Sequence, residues 1–180
     1  MSSNLELAKS CITQIADYPV PGVIFKDVTP IAANAEAFSD VLGAIEGHFA
    51  SSGVTHIVGI EARGFIFGAA LAARMGLGFV PIRKSGKLPR QTHRVEYALE
   101  YGIDAIEIHT DALKSNDVVL VIDDVLATGG TAAAALDLIS QCGAKALALV
   151  VLLNLEFLGG QVAIASKYPD VEILTLFPGA

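Results

Sequence analysis

The stretch VVLVIDDVLATGGT, residues 118–131, sets an apolar strand, two carboxylates and a loop of small residues in immediate succession. Val118, Val119, Leu120, Val121 and Ile122 form the kind of apolar, largely β-branched run found in a parallel strand buried on both faces. Asp123 and Asp124 then fall where such a strand would end. In the loop Ala127, Thr128, Gly129, Gly130 and Thr131, small residues let backbone N–H groups turn inward around an anion, and two hydroxyls add donors. The alanine-rich segment from Ala132 to Cys142 reads as a helix whose unpaired N-terminal donors and positive dipole end face the same anion. Carboxylates beside a phosphate cradle repel the phosphate unless they face something else. Ribose hydroxyls and a magnesium ion are their natural partners. The stretch therefore predicts a site for a phosphorylated sugar. Taken singly, the acids read as solvated strand-end residues and Gly129-Gly130 as an ordinary turn; the four features in this order argue for the site. It is neither a Walker loop nor a GxGxxG dinucleotide fingerprint.

Working outward, the chain has 180 residues, enough for one domain with a sizeable core, and its 53% hydrophobic content argues against disorder. No apolar run reaches the ~18 residues of a membrane span. The longest, around Ala146 to Leu153, reads as a buried strand. The opening MSSNLELAKS lacks the charged and apolar regions of a secretion signal, so a cytoplasmic protein is expected. Cys11 and Cys142, the two cysteines, lack metal-ligand spacing and read as reduced, buried thiols. A net charge of −7 disfavours nucleic acid as a partner. Positive charge is nevertheless concentrated: five of the twelve Lys and Arg residues are Arg83, Lys84, Lys87, Arg90 and Arg94, which suggests a small polyanion held there.

Leu5, Ala8, Ile12 and Ile15 recur at helical spacing, predicting a first helix over 3–16. The segment YPVPGVIFKDVTP follows, and its three prolines break any helix there. A second helix is expected from about Asn34, with Phe38, Val41, Leu42, Ile45 and Phe49 on one face. Strands and helices then alternate: strand 55–61, helix 64–75, strand 78–82, a basic loop, strand 105–109, the motif itself, and strands 147–153 and 171–176 separated by a helix. This pattern implies an α/β fold, a single domain with a mostly parallel sheet covered by helices on both faces. Ligands of such sheets bind beyond the strand carboxyl ends at a topological switch point.

Two further loops bear on anions. In EARGFIFG, Glu61 to Gly68, Arg63 offers a fork of donors for phosphate oxygens and Gly64 allows close backbone approach. Arg63 alone reads equally well as a surface residue. The segment from Arg83 to Gly102 reads either as a solvated, flexible hairpin or as a mobile lid carrying Arg83, Lys84 and Lys87 over a pyrophosphate. His109, on an alternating strand, reads as structural.

The segment 118–131 resembles the phosphoribosyl pyrophosphate (PRPP) binding motif of type I phosphoribosyltransferases. RKSGKLP, LEYG, EIHTDAL and PGVIFKDVTP resemble the adenine phosphoribosyltransferase branch more than its relatives, and the likeness runs from about Tyr18 to Leu155. The resemblance implies the type I phosphoribosyltransferase fold, with an N-terminal helical hood (1–33) over the base and a flexible hairpin lid (83–104). It implies purine salvage, converting adenine and PRPP to AMP and pyrophosphate, with Mg2+ held mainly by PRPP near Asp123 and Asp124. Residues 127–131 would take the 5′-phosphate and the two aspartates the ribose. Arg63, Gly64, Arg83, Lys84 and Lys87 would hold pyrophosphate, with Arg83 reaching the neighbouring subunit's site in some relatives, so a homodimer is expected. Phe25 would stack on adenine, Ile24 and Lys26 would read its edge through their backbone, and Leu155 would pack on the opposite face. As an isolated aromatic, Phe25 reads equally well as packing. Glu100 in LEYG corresponds to a lid glutamate that manages the purine proton. The family's loop commonly carries a non-proline cis peptide, here between Glu61 and Ala62. Lys26 stands where arginine is more usual, a change that a backbone reader tolerates and a bidentate guanidinium contact does not. The alternatives are a transferase for xanthine, hypoxanthine or guanine, and a PRPP-binding regulator without turnover, for which no nucleic-acid-binding module is apparent.

Overall fold

The computed structural model describes residues 5–98 and 102–178. In chain order the elements are α1 (Glu6–Ser10), β1 (Thr13–Ala16), β2 (Ile24–Asp27), α2 (Thr29–Ala33), α3 (Ala35–Phe49), β3 (His56–Ile60), α4 (Arg63–Met75), β4 (Gly78–Lys84), β5 (Thr92–Ala98), β6 (Ile103–His109), β7 (Val118–Leu126), α5 (Gly130–Gln141), β8 (Lys145–Asn154), a 3-10 turn (Glu156–Leu158), α6 (Gly160–Lys167) and β9 (Glu172–Thr175). Seven strands form one sheet in the order β5-β6-β4-β3-β7-β8-β9. From β4 to β9 the neighbours run parallel; β6 is antiparallel to β4, and β5 to β6. The chain winds outward from β3 to β4 and later returns to lay β7 on the other side of β3. That reversal makes the carboxyl ends of β3 and β7 the switch point where a ligand belongs.

The apolar run of β7 is explained by cover on both faces. Leu120 and Ile122 join Ile57 and Val150 against the residues of α3 and α4. Val119 and Val121 join Val58, Leu149 and Val151 against α5. Side chains alternate along a strand, so a strand covered on both sides needs apolar residues at every position. Asn34 starts α3 as its spacing predicts: its side-chain oxygen accepts hydrogen bonds from the Glu36 and Ala37 N–H groups, both at 3.1 Å. Among the described residues no helix is long and apolar enough to cross a membrane.

Four expectations change in the structure. The helix expected over 3–16 ends at Ser10, and Thr13–Ala16 instead pairs antiparallel with Ile24–Asp27, setting Ile15 opposite Phe25. The hairpin turns at 17–23, where the Asp17 carboxylate accepts from the Gly22 N–H at 2.7 Å and Gly22 sits at φ 88°. A strand pairing of this kind outweighs a helical period whose Ile15 end is exposed. The N-terminal segment thus combines two short helices with a hairpin. The basic segment after β4 contains a full edge strand, β5, paired with β6 from Thr92↔His109 to Ala98↔Ile103. Charged residues suit an edge, which they protect from pairing with other chains. Asp123 and Asp124 lie inside β7, because β8 continues to pair beyond them through Val125↔Leu153 and Leu126↔Asn154. Cys11 and Cys142 are free and only half-buried.

Candidate active site

A cleft of about 740 Å³ opens at the switch point. Its walls come from β2 and the residue before it, the β3–α4 loop, the end of β4, the β5–β6 hairpin, β7, the start of α5 and the end of β8. Ile24, Phe25, Lys26, Arg63, Lys84, Asp123, Asp124, Ala127, Thr131 and Leu155 all line it, so residues distant in sequence and expected to act together meet here. An adjoining niche of about 70 Å³ is formed by Asp123 and residues 125–132, and this holds Thr128, Gly129 and Gly130. Arg83 and Lys87 do not line the cleft. Glu100 lies outside the described residues.

The floor is built on β7. Asp124 is buried, and its Oδ2 lies 2.6 Å from Arg63 Nε without the alignment of a hydrogen bond, so this buried oxygen has no hydrogen-bond partner among the described residues. Asp123 Oδ1 accepts the Asp124 backbone N–H at 2.9 Å. Burial, then the neighbouring Asp124 charge, holds the Asp123 carboxyl well above the usual carboxylate range. The α4 terminus packs directly on this floor: a Cβ on Gly64 would lie 2.5 Å from the Ile122 carbonyl oxygen and 3.4 Å from Asp123 Oδ1. Glycine is required there by the approach of helix to strand.

The raised Asp123 has a consequence for stability. An acid that is harder to ionise in the folded state supports folding while protonated. That support is lost as pH rises from about 4, the ordinary value, through the raised folded-state value. Asp123→Asn removes this dependence. Urea titrations should show the variant gaining stability relative to the parent as pH rises through that window, whereas parallel curves would contradict the assignment.

Around the floor, Arg63 reaches across to β2, where its guanidinium carbon lies 5.2 Å from the Phe25 ring centroid. Phe25 also meets Tyr18 edge-on, with centroids 5.3 Å apart. On the hairpin side, Glu61 takes a bidentate contact from Arg83, Nε to Oε2 at 3.1 Å and Nη2 to Oε1 at 3.0 Å, and also accepts from the Lys84 backbone N–H at 3.0 Å. The Arg83 guanidinium holds the Glu61 carboxyl below the usual range. Arg83 is thus committed within its own chain, and its pairing leaves Lys84 to face the cleft. The peptide joining Glu61 and Ala62 is cis.

Sequence reasoning missed Tyr97 and Asp104 as cleft residues. They face each other across the hairpin, the Tyr97 hydroxyl donating to Asp104 Oδ2 at 3.3 Å, and Lys84 Nζ lies 3.4 Å from the same oxygen. The Ala105 N–H, with help from Lys84, holds the Asp104 carboxyl below its ordinary value, and burial pushes the Tyr97 hydroxyl up. The signal was the strand alternation on either side of LEYG, which pairs these two positions once the segment is read as a hairpin. His109 is buried on β6, its Nδ1 3.4 Å from the Gln91 carbonyl oxygen, in keeping with a structural role.

Residues 27–175 match the phosphoribosyl transferase domain family. Adenine phosphoribosyltransferase of Streptomyces clavuligerus is 53% identical over 169 residues, covering 94% of this chain and 95% of that one. The structure of adenine phosphoribosyltransferase from Saccharomyces cerevisiae, complexed with an imino-altritol bisphosphate and adenine, aligns with a TM-score of 0.90 at 37% identity, over 98% of this chain and 100% of that one. That from Trypanosoma brucei, in complex with AMP, pyrophosphate and ribose-5-phosphate, aligns at 0.89 and 26% identity, over 97% of this chain and 79% of that one. With the motif on β7, the cleft at the switch point and these likenesses across nearly its whole length, the chain belongs to the phosphoribosyltransferase family, on the adenine phosphoribosyltransferase branch.

Proposed function

We infer that the chain transfers the phosphoribosyl group of PRPP to adenine, yielding AMP and pyrophosphate in purine salvage. The observation that carries this is the meeting, in one cleft, of Phe25 and Leu155, the Asp123-Asp124 pair, and the 127–131 loop. These are an apolar slot for a flat base, acceptors for ribose hydroxyls, and an anion cradle at the start of α5. The relatives' bound adenine, AMP, pyrophosphate and ribose-5-phosphate are the pieces such a cleft would take.

In this reading the adenine nitrogen attacks the anomeric carbon of the ribose while the bond to pyrophosphate breaks. Negative charge grows on the leaving group and positive charge on the sugar, so the protein acts by positioning and by fixed electrostatics. Arg63 and Lys84 offset the departing charge; Asp123 and Asp124 orient the ribose and face its cationic carbon. Arg63 is paired with Asp124 and lies near Phe25, so engaging pyrophosphate draws it away from both. Gly64 assists by close backbone approach. Arg83 positions Lys84 through Glu61, and Lys87, also proposed for pyrophosphate, approaches from the hairpin. Glu100 handles the purine proton from the 83–104 lid, and residues 1–33 form the hood, where Ile24 and Lys26 read the base edge through their backbone.

Two adjacent carboxylates, one with a buried oxygen that accepts no hydrogen bond among the described residues and meets the Arg63 guanidinium, fit a divalent cation that brings most of its ligands on PRPP once Arg63 has turned to pyrophosphate. Among the described residues no group of three or more ligating side chains forms a cage. Mg2+, when bound, neutralises the diphosphate, with Asp123 and Asp124 nearby. A homodimer and a cytoplasmic location complete the proposal, the second in keeping with two free cysteines.

The test is a panel in which the purified chain, Mg2+ and PRPP are mixed with adenine, hypoxanthine, guanine or xanthine, and pyrophosphate and nucleotide are measured. AMP from adenine in preference to the other products is expected. Preference for another base would reassign the substrate, and no pyrophosphate with any base would leave only the binding regulator. Phe25→Ala should raise KM for adenine about tenfold, the loss of roughly 1 to 1.5 kcal/mol of aromatic stacking. An unchanged KM would remove Phe25 from the base slot.

A further inference from the structure

The phosphate loop has a back as well as a front. Behind residues 127–129 runs the turn from Leu155 into α6, and its backbone lies against theirs. A Cβ built on Gly160 would fall 2.2 Å from the Ala127 carbonyl oxygen, 2.8 Å from Gly129 N and 2.9 Å from Thr128 C. All three are backbone atoms of the loop, so no side-chain rotation can relieve the contact. The approach is mutual: a Cβ on Gly129, at φ 88°, would lie 3.1 Å from Gly160 O and 3.3 Å from its Cα. Two hydrogen bonds tie the segments together, from the Gly160 N–H to Ala127 O at 3.1 Å and from the Leu155 N–H to Leu126 O at 2.8 Å.

We propose that Gly160 is a positioning residue for the reaction, holding the 127–129 backbone at the curvature that aims its N–H groups at the 5′-phosphate. This rests on residues 127–131 being the phosphate cradle. Gly160 does not itself line the cleft or its niche, and acts through the loop in front of it. An alanine at 160 would force the loop and α6 apart until the contacts exceed 3.0 Å, the limit real Cβ atoms respect. Donors aimed from a displaced backbone lose alignment with the phosphate, and hydrogen bonds weaken steeply with misdirection. The effect should fall on the phosphate end of the substrate. The pyrophosphate contacts of Arg63 and Lys84 lie on other elements and should survive.

The experiment uses the full chain with Mg2+ and follows AMP formation while PRPP is varied, together with calorimetric titration of ribose 5-phosphate. Gly160→Ala should raise KM for PRPP tenfold or more and weaken ribose 5-phosphate by a similar factor, with kcat at saturating PRPP within threefold of the parent. Val162→Ala, at an exposed position on the same helix, should match the parent in all three. A folded Gly160→Ala with unchanged KM and unchanged ribose 5-phosphate affinity would overturn the proposal, even if its melting temperature fell. If Gly160→Ala does not fold, Ile164→Ala takes its place, because buried Ile164 Cγ1 stands 3.4 Å from the Cβ position of Gly129. That variant should raise KM for PRPP at least threefold, and no change would count against the brace. A parent chain that forms no AMP and binds no ribose 5-phosphate would instead refute the underlying reading of the loop.

Discussion

Replacing Asp124 by asparagine should slow AMP formation on the order of 10²-fold at saturating substrates, the scale on which removing one fixed electrostatic group acts. The chain should still fold. The carboxylate is buried against Arg63 with one oxygen lacking a hydrogen-bond partner among the described residues. Arg63 compensates its charge before substrate arrives; with Arg63 drawn to pyrophosphate, as proposed, the carboxylate becomes available to ribose and to the cationic transition state. Asp123→Asn should produce a loss of similar size. In both variants the fall should appear in kcat more than in KM for adenine, since the base slot is built by other residues. Unchanged kcat in both would exclude the pair's charge from the mechanism. A rise in adenine KM alone would place the pair at the base instead.

The largest effect on stability is expected at Phe67. This residue of α4 is fully buried, packs edge-on against Phe38 with centroids 5.6 Å apart, and belongs to the cluster that covers one face of the sheet. Phe67→Ala removes most of a ring from that layer and leaves a cavity, at a cost of about 3 to 5 kcal/mol. Urea unfolding should show the midpoint lowered by that energy divided by the slope, with little change in the slope itself. A cost below about 1 kcal/mol would mean that α4 does not seat on the sheet as described. The consequence reaches function, because the same helix carries Arg63 and Gly64 at its first turn. Near its own midpoint the variant should lose activity in step with fold.

The elements that sequence made legible are those whose pattern is dictated by cover. Val118–Ile122 is apolar at every position because helices lie on both sides of β7, and Asn34 announces α3 because its cap hydrogen bonds are local. The N-terminal helix looks longer in sequence than it is because Ile12 and Ile15 continue a helical period, while the pairing of Ile15 with Phe25 depends on a hairpin held by Asp17 and Gly22. Strand β5 reads as loop in the sequence because an edge strand carries charge, here Arg94 paired with Glu96 on the same strand.

The same division holds for the site. Asp123, Asp124 and the 127–131 loop were visible because they are contiguous and each residue type has a reason to be there. The contact of Arg63 with Asp124, the commitment of Arg83 to Glu61, and the Tyr97–Asp104–Lys84 cluster are tertiary, formed by strands that sequence order separates. Gly160 was the least legible of all. A Gly-Gly pair reads as a turn, and only the approach of another backbone reveals what the missing side chain permits.

A crystal structure of the chain grown with AMP would show whether one cleft takes base, ribose and phosphate together. Adenine is expected between Phe25 and Leu155, the ribose hydroxyls on Asp123 and Asp124, and the phosphate within hydrogen-bonding distance of the 127–131 backbone. AMP bound with its phosphate away from that loop, or its base away from Phe25, would contradict it.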